Sequence, residues 1–142
     1  MGLPALAQLL ADDDREANIR SDLDWVKAVQ SGLPVTSVDT AIDELGFSPA
    51  EIDTLVLPRR TLAARRAKHQ PLTRDESVRL ARIARVALKA VETFGESDKA
   101  HRWLRRPNRA LRNHTPLSLL DTDDGARLVE VVLGRLAYGL FS

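Results

Sequence analysis

Apolar residues recur every third or fourth position along most of this chain, and no alternating run suggests a sheet. The clearest stretch follows Thr73-Arg74-Asp75-Glu76. There Leu80, Ile83, Ala84, Ala87, Val91 and Phe94 fall on one side of a helix, and Arg79, Arg82, Arg85 and Lys89 on the other. That spacing marks an amphipathic α-helix with one buried stripe, whereas a half-buried strand would alternate. Thr73 and Glu76 form a capping box that opens the helix, and Gly95 closes it. The chain is therefore expected to be all-α.

The remaining segments follow the same period between breakers. Residues 23–30 carry Leu23, Trp25, Val26 and Val29, and stop at Gly32 and Pro34. Thr36 and Ser37 can cap a helix with Val38, Ala41, Ile42 and Leu45 inward, ended by Gly46. Ser48-Pro49-Ala50-Glu51 is a second capping box, with proline at the first helical position. A short helix through Ile52 and Leu55 follows, Pro58 interrupts, and residues 61–68 form the next helix. Residues 96–104 make another, broken by Pro107-Asn108. A helical turn follows at 115–120. Thr122-Asp123-Asp124 caps a final helix over 125–140, its acids at the positive end. Residues 1–22 are expected as a weakly ordered arm around one short helix at 4–11.

Composition removes several functions. With no cysteine there is no disulfide, thiolate metal site or cysteine nucleophile. His69, His101 and His114 form no zinc-type pair. Asp121, Asp123 and Asp124 sit at a helix start, where capping explains them. No glycine-rich phosphate loop occurs, so neither an enzyme nor a cofactor is expected. No apolar run is long enough to span a membrane. The N-terminus lacks a basic region before an apolar one, so a cytoplasmic protein is expected.

The formal charge of +1 conceals a sharp division. Residues 1–56 hold three Lys/Arg against eleven Asp/Glu, residues 57–89 ten against two, and residues 90–142 eight against seven. A middle third this basic suggests a polyanion partner, although the acidic third could instead cover it. Two helix-turn-helix registers are open. In one, the helix from Val38 to Leu45 supports and residues 49–56 read; Gly46 suits that turn, but Glu51 and Asp53 would meet phosphates with the wrong sign. In the other, residues 48–56 support and residues 58–68 read, carrying Arg59, Arg60, Thr61, Arg65, Arg66 and Lys68 without an acid. Arginine forks suit guanine edges and phosphates, which favours this register, though its turn has no glycine. Arg79, Arg82 and Arg85 could add backbone contacts.

The last helix is unusually apolar. Leu128, Val129, Val132, Leu133, Leu136, Ala137 and Leu140 cover a wide arc, and no charged side chain follows Arg135. Such an end either packs on its own core or enters a partner, and periodicity does not separate the two.

Several motifs in one order resemble a known family. They are Leu57-Pro58-Arg59-Arg60-Thr61-Leu62-Ala63-Ala64-Arg65-Arg66, Leu72-Thr73-Arg74-Asp75-Glu76-Ser77, Arg82 and Ala84, Ala100-His101-Arg102-Trp103-Leu104 and Pro107-Asn108-Arg109-Ala110-Leu111. Thr115-Pro116-Leu117, Leu119-Leu120-Asp121-Thr122, Gly125-Ala126, Val129 and Leu136-Ala137-Tyr138-Gly139 complete the series. Over 23–142 the chain is similar to the Xre/MbcA/ParS-type antitoxins that partner RES-domain toxins.

That resemblance implies an Xre-like helix-turn-helix domain at 23–72, which dimerises and binds its own promoter, and a small helical toxin-binding domain at 73–142. It further implies a toxin that consumes NAD or transfers its ADP-ribose, held in a hetero-oligomer with its pocket covered by the antitoxin. The toxin-facing candidates it implies are Trp103, Asn108, Leu111, Thr115, Pro116, Leu120, Gly125, Arg135, Tyr138 and Gly139, with Leu140 and Phe141 at the apolar end. Of these, Trp103 and Leu120 suit a core, Pro116 a turn and Gly125 close helix packing. Arg135 and Tyr138 suit an interface. Arg112-Asn113-His114 departs from the small residue common after the family's Ala-Leu pair. A stand-alone helix-turn-helix regulator without a toxin is the alternative.

Overall fold

A computed structural model describes residues 3–11 and 19–141 of the chain, with side chains for 6–11 and 19–139. Among these residues the architecture is helical and without strands. The elements are α1 (Leu3–Leu10), α2 (Asp22–Ser31), α3 (Thr36–Asp43), α4 (Pro49–Leu55), α5 (Arg59–Ala67), α6 (Arg74–Phe94) and α7 (Ser97–Leu104). Two 3₁₀ turns follow, Arg109–Leu111 and Leu117–Leu119, and then α8 (Asp123–Phe141). Contacts divide the chain into two compact units, Met1–Ala81 and Arg82–Ser142. No helix among the described residues is long and apolar enough to cross a membrane.

In the first unit Leu6, Ala7 and Leu10 of α1 are buried, and α1 packs on α2 and α3. The short helix expected at 4–11 is thus α1, and its Leu6, Ala7 and Leu10 join the core; burying three apolar side chains offsets the cost of ordering a short helix. Residues 12–18 of that expected arm lie outside the described residues. Ser37, expected as a cap for α3, is instead buried and donates its hydroxyl proton to the Leu10 carbonyl. The N-cap position falls to Val35, with no side-chain bond.

A second junction joins α2 to the start of α6. The Leu33 amide donates to Ser77 Oγ at 2.8 Å, and the Leu33 carbonyl accepts from the Leu72 amide at 2.9 Å. Gly32 stands here at φ +99°, and a Cβ on it would lie 2.3 Å from the Leu72 carbonyl oxygen. Glu76, Ser77 and Leu80 are buried, and the division between the two compact units falls inside α6, after Ala81.

In the second unit Ile83, Ala84, Val86, Ala87 and Ala90 of α6 are buried, as are Ala100, Leu104, Leu111 and Leu120. Ala126, Val129, Val132 and Leu133 supply the inner face of α8. Phe94 and Trp103 meet at tilted rings, 5.7 Å between centroids. Thr122 caps α8 as expected, accepting from the Gly125 amide at 3.0 Å. A Cβ on Gly125 would lie 1.9 Å from the Leu119 carbonyl oxygen, so its role is close packing.

Gly32→Ala and Gly125→Ala are each expected to lower unfolding free energy by about 2 kcal/mol or more. Gly134→Ala, with no neighbouring atom within 4 Å of the added Cβ, should stabilise α8 slightly. Urea denaturation followed by circular dichroism checks all three.

Candidate functional site

In the first unit α4 leads into α5 through Val56, Leu57 and Pro58. Ile52, Leu55, Val56 and Leu57 are buried, so α4 and the turn are seated in the core. This turn needs no glycine because two bonds set it: the Arg59 amide donates to Asp53 Oδ1 at 2.7 Å, and Arg79 Nε donates to the Val56 carbonyl at 2.7 Å. Ser48 and Glu51 complete the capping box at the head of α4. The other turn, between α3 and α4, passes through Gly46 at φ +79°. Both turns are therefore formed, and chemistry must choose between α4 and α5 as a reading helix. The α4 segment carries Glu51 and Asp53, whereas α5 has no buried residue and no acid.

The basic residues of α5 divide in two. Arg59, Arg60 and Lys68 are exposed and have no ion pair among the described residues. Thr61 is half-buried in the first turn. Arg65 forms a two-pronged bond with Glu76, Nε to Oε1 and Nη2 to Oε2, both at 3.2 Å. Arg66 pairs with Asp39 of α3. The acidic third thus does cover part of the basic third. Burial alone would push the Glu76 carboxyl up, but the Thr73 amide at 2.8 Å and the Arg65 guanidinium outweigh it and hold the group below its ordinary value. The arginines expected to stripe α6 are also engaged: Arg79 on Val56, Arg82 near Asp121 and Asp123, and Arg85 on Glu130 at 2.9 Å.

Sequence reading missed an apolar groove of about 270 Å³ floored by Ile42, Pro49, Ile52, Leu57, Leu62 and Ala63.

In the second unit the outer side of α8 carries Leu128, Val131, Arg135 and Tyr138 at spacings of three and four. Leu128, Val131 and Tyr138 are 48%, 45% and 78% exposed, and Leu136 at the margin is 37% exposed. Val131 was not among the residues singled out from sequence; it lies beside Val132, which is buried, and only the packing distinguishes them. Gly139 is exposed, while the side chains of Leu140 and Phe141 lie outside the described residues. Leu111 and Pro116, both offered as toxin-facing candidates, are buried. Leu120 is fully buried. Trp103 is half-buried against Phe94. Asn108 Oδ1 accepts from the Ala110 amide at 2.9 Å, and Thr115 Oγ1 from the Ser118 amide at 3.2 Å, so both fold their own loops.

Residues 24–85 match the antitoxin Xre-like helix-turn-helix domain, and residues 89–139 match the antitoxin Xre/MbcA/ParS C-terminal toxin-binding domain. The chain belongs to the Xre/MbcA/ParS antitoxin family. Both matches meet inside α6, as the unit boundary does. The antitoxin Xre of Pseudomonas putida is 36% identical over 121 residues, 85% of this chain and 76% of that protein. The antitoxin Xre of Photorhabdus laumondii is 39% identical over 116 residues, 80% of this chain and 78% of that protein. A Prs ADP-ribosylating antitoxin of Sphingobium is 28% identical over 132 residues, covering 86% and 83%.

Because its carboxyl is held low, Glu76 contributes stability that is complete above about pH 4.3 and is lost as pH falls through the lowered value. Urea midpoints measured between about pH 6 and pH 3 should therefore fall more steeply for the native chain than for Glu76→Gln.

Proposed function

We propose that this antitoxin neutralises a RES-domain toxin, one that consumes NAD or transfers its ADP-ribose, by covering the toxin's active site with its C-terminal unit. The observation that carries the reading is the exposed row of Leu128, Val131 and Tyr138 around Arg135, in a unit that matches a toxin-binding domain. Apolar side chains aligned on one helix face are costly in water and suit a protein partner. Tyrosine and arginine supply anchors at such contacts. The name of the Sphingobium relative, which couples ADP-ribosylation to an antitoxin, supports NAD-linked chemistry for the toxin.

The same protein represses its own operon through α5. Arg59 and Arg60 are free to meet phosphates and base edges at the start of a helix with no acid of its own. A homodimer formed by the first unit would present two such helices to a palindromic operator. Toxin binding then gives a hetero-oligomer, and the setting is the cytoplasm.

Co-expression with the product of the neighbouring gene tests the reading. A RES-type partner that co-purifies, with growth restored, supports it; no partner and no rescue leave a stand-alone regulator. Val131→Arg with Tyr138→Ala should abolish rescue while operator affinity stays within about twofold. Removing residues 138–142 should impair rescue and keep the protein helical. Arg59→Ala with Arg60→Ala should weaken operator binding by about tenfold or more in gel shifts and leave rescue intact.

A further inference from the structure

The second unit carries a run of cations between residues 99 and 114. Lys99, Arg102, Arg105, Arg106, Arg109 and Arg112 lie between residues 99 and 114, a stretch without any acid. Arg105 is engaged locally, donating to the His101 carbonyl at 3.0 Å. The other five have exposed side chains and no acid partner among the described residues. That exceeds the three unpaired cations of α5 and its C-cap, Arg59, Arg60 and Lys68, and it lies on the unit to which a DNA-binding role is not assigned.

The loop that carries the last of them is fixed. Arg112 and Asn113 both adopt left-handed backbone, at φ +51° and +66°, a region that non-glycine residues seldom occupy. The Asn113 amide donates to the Asn108 carbonyl at 2.8 Å, and the Asn108 amide to the His114 carbonyl at 3.1 Å. Leu111 anchors the loop from inside. Arg109 and Arg112 therefore project from a preorganised turn, which reduces the ordering cost of binding.

Composition separates a phosphate backbone from a protein face. The middle of a protein interface is depleted in charge and needs apolar anchors. Residues 99–114 expose no large hydrophobic side chain; in this unit those lie on α8. Arginines without acids are the footprint of phosphate binding, where each guanidinium offers a forked donor to an oxyanion. We propose that Lys99, Arg102, Arg106, Arg109 and Arg112 form a second nucleic-acid surface, which grips the DNA phosphate backbone without reading sequence. It stands independently of α5.

The test uses the full chain and a duplex of about 30 base pairs unrelated to the operator, with anisotropy followed from about 50 to 200 mM salt. Arg106→Gln, Arg109→Gln and Arg112→Gln together should lower affinity by about tenfold or more and reduce the salt slope by about 2 to 3, since each phosphate contact contributes about 0.9. The corresponding triple lysine variant, which keeps the charge and reports on folding, should keep the slope. The loss should persist when Arg59 and Arg60 are alanine; if it vanishes there, the surface is not separate and the proposal fails. An unchanged slope in the glutamine variant also overturns it. If toxin co-purification is lost as well, with DNA binding unchanged, the cluster faces an acidic protein surface instead. Should Arg59→Ala with Arg60→Ala leave operator binding unaltered while the loop variant loses DNA, the α5 reading fails and this one stands.

Discussion

The 21-residue helix α6 carries residues of two cores, and the placement of both depends on it. Its first turns give Ser77 to the Leu33 amide and Leu80 to the interior of the first unit. Its later turns give Ile83, Ala84, Ala87 and Ala90 to the second. A helix propagates cheaply once nucleated, so continuity through the boundary costs less than ending one helix and starting another. The Thr73–Glu76 capping box fixes where it begins. That same Glu76 accepts the Arg65 guanidinium, so the start of α6 also fixes α5.

The basic helix is held in an unusual way. No residue of α5 is fully buried, so its hydrophobic seat, through half-buried Leu62, is shallow. It is held at its head by Asp53, midway by Glu76 and towards its end by Asp39. Exposed ion pairs contribute little each, but Arg65 on buried Glu76 is a forked, partly desolvated bond and carries more of the load. The arrangement spends two cations on structure and leaves Arg59, Arg60 and Lys68 outward, so the helix keeps a net attraction for anions.

In the second unit the two outward-facing features are of opposite chemistry. Residues 99–114 present cations from a hydrogen-bonded loop, and α8 presents Leu128, Val131 and Tyr138. Most residues that the family likeness implies as toxin contacts in 103–116 hold the loop together, through Asn108, Leu111, Thr115 and Pro116. Arg135 and Tyr138, by contrast, stand in solvent.

The sequence by itself determined what is local. Helix period, the capping boxes at Ser48–Glu51 and Thr73–Glu76, the Thr122 cap and the breakers at Pro58 and Gly95 each involve residues within a turn or two, and each sits where the spacing placed it. The order of the family motifs likewise needed no coordinates. Tertiary structure decided which of several competent partners each residue took. Ser37 could cap α3 but serves Leu10, 27 positions away. Arg65 and Arg66 could have faced DNA but reach Glu76 and Asp39. Val131 and Val132 are chemically equal neighbours, and 100° of helical rotation puts one in water and the other in the core. Local periodicity fixes that a helix forms and which residues share a face; only packing against the rest of the chain fixes which face is covered.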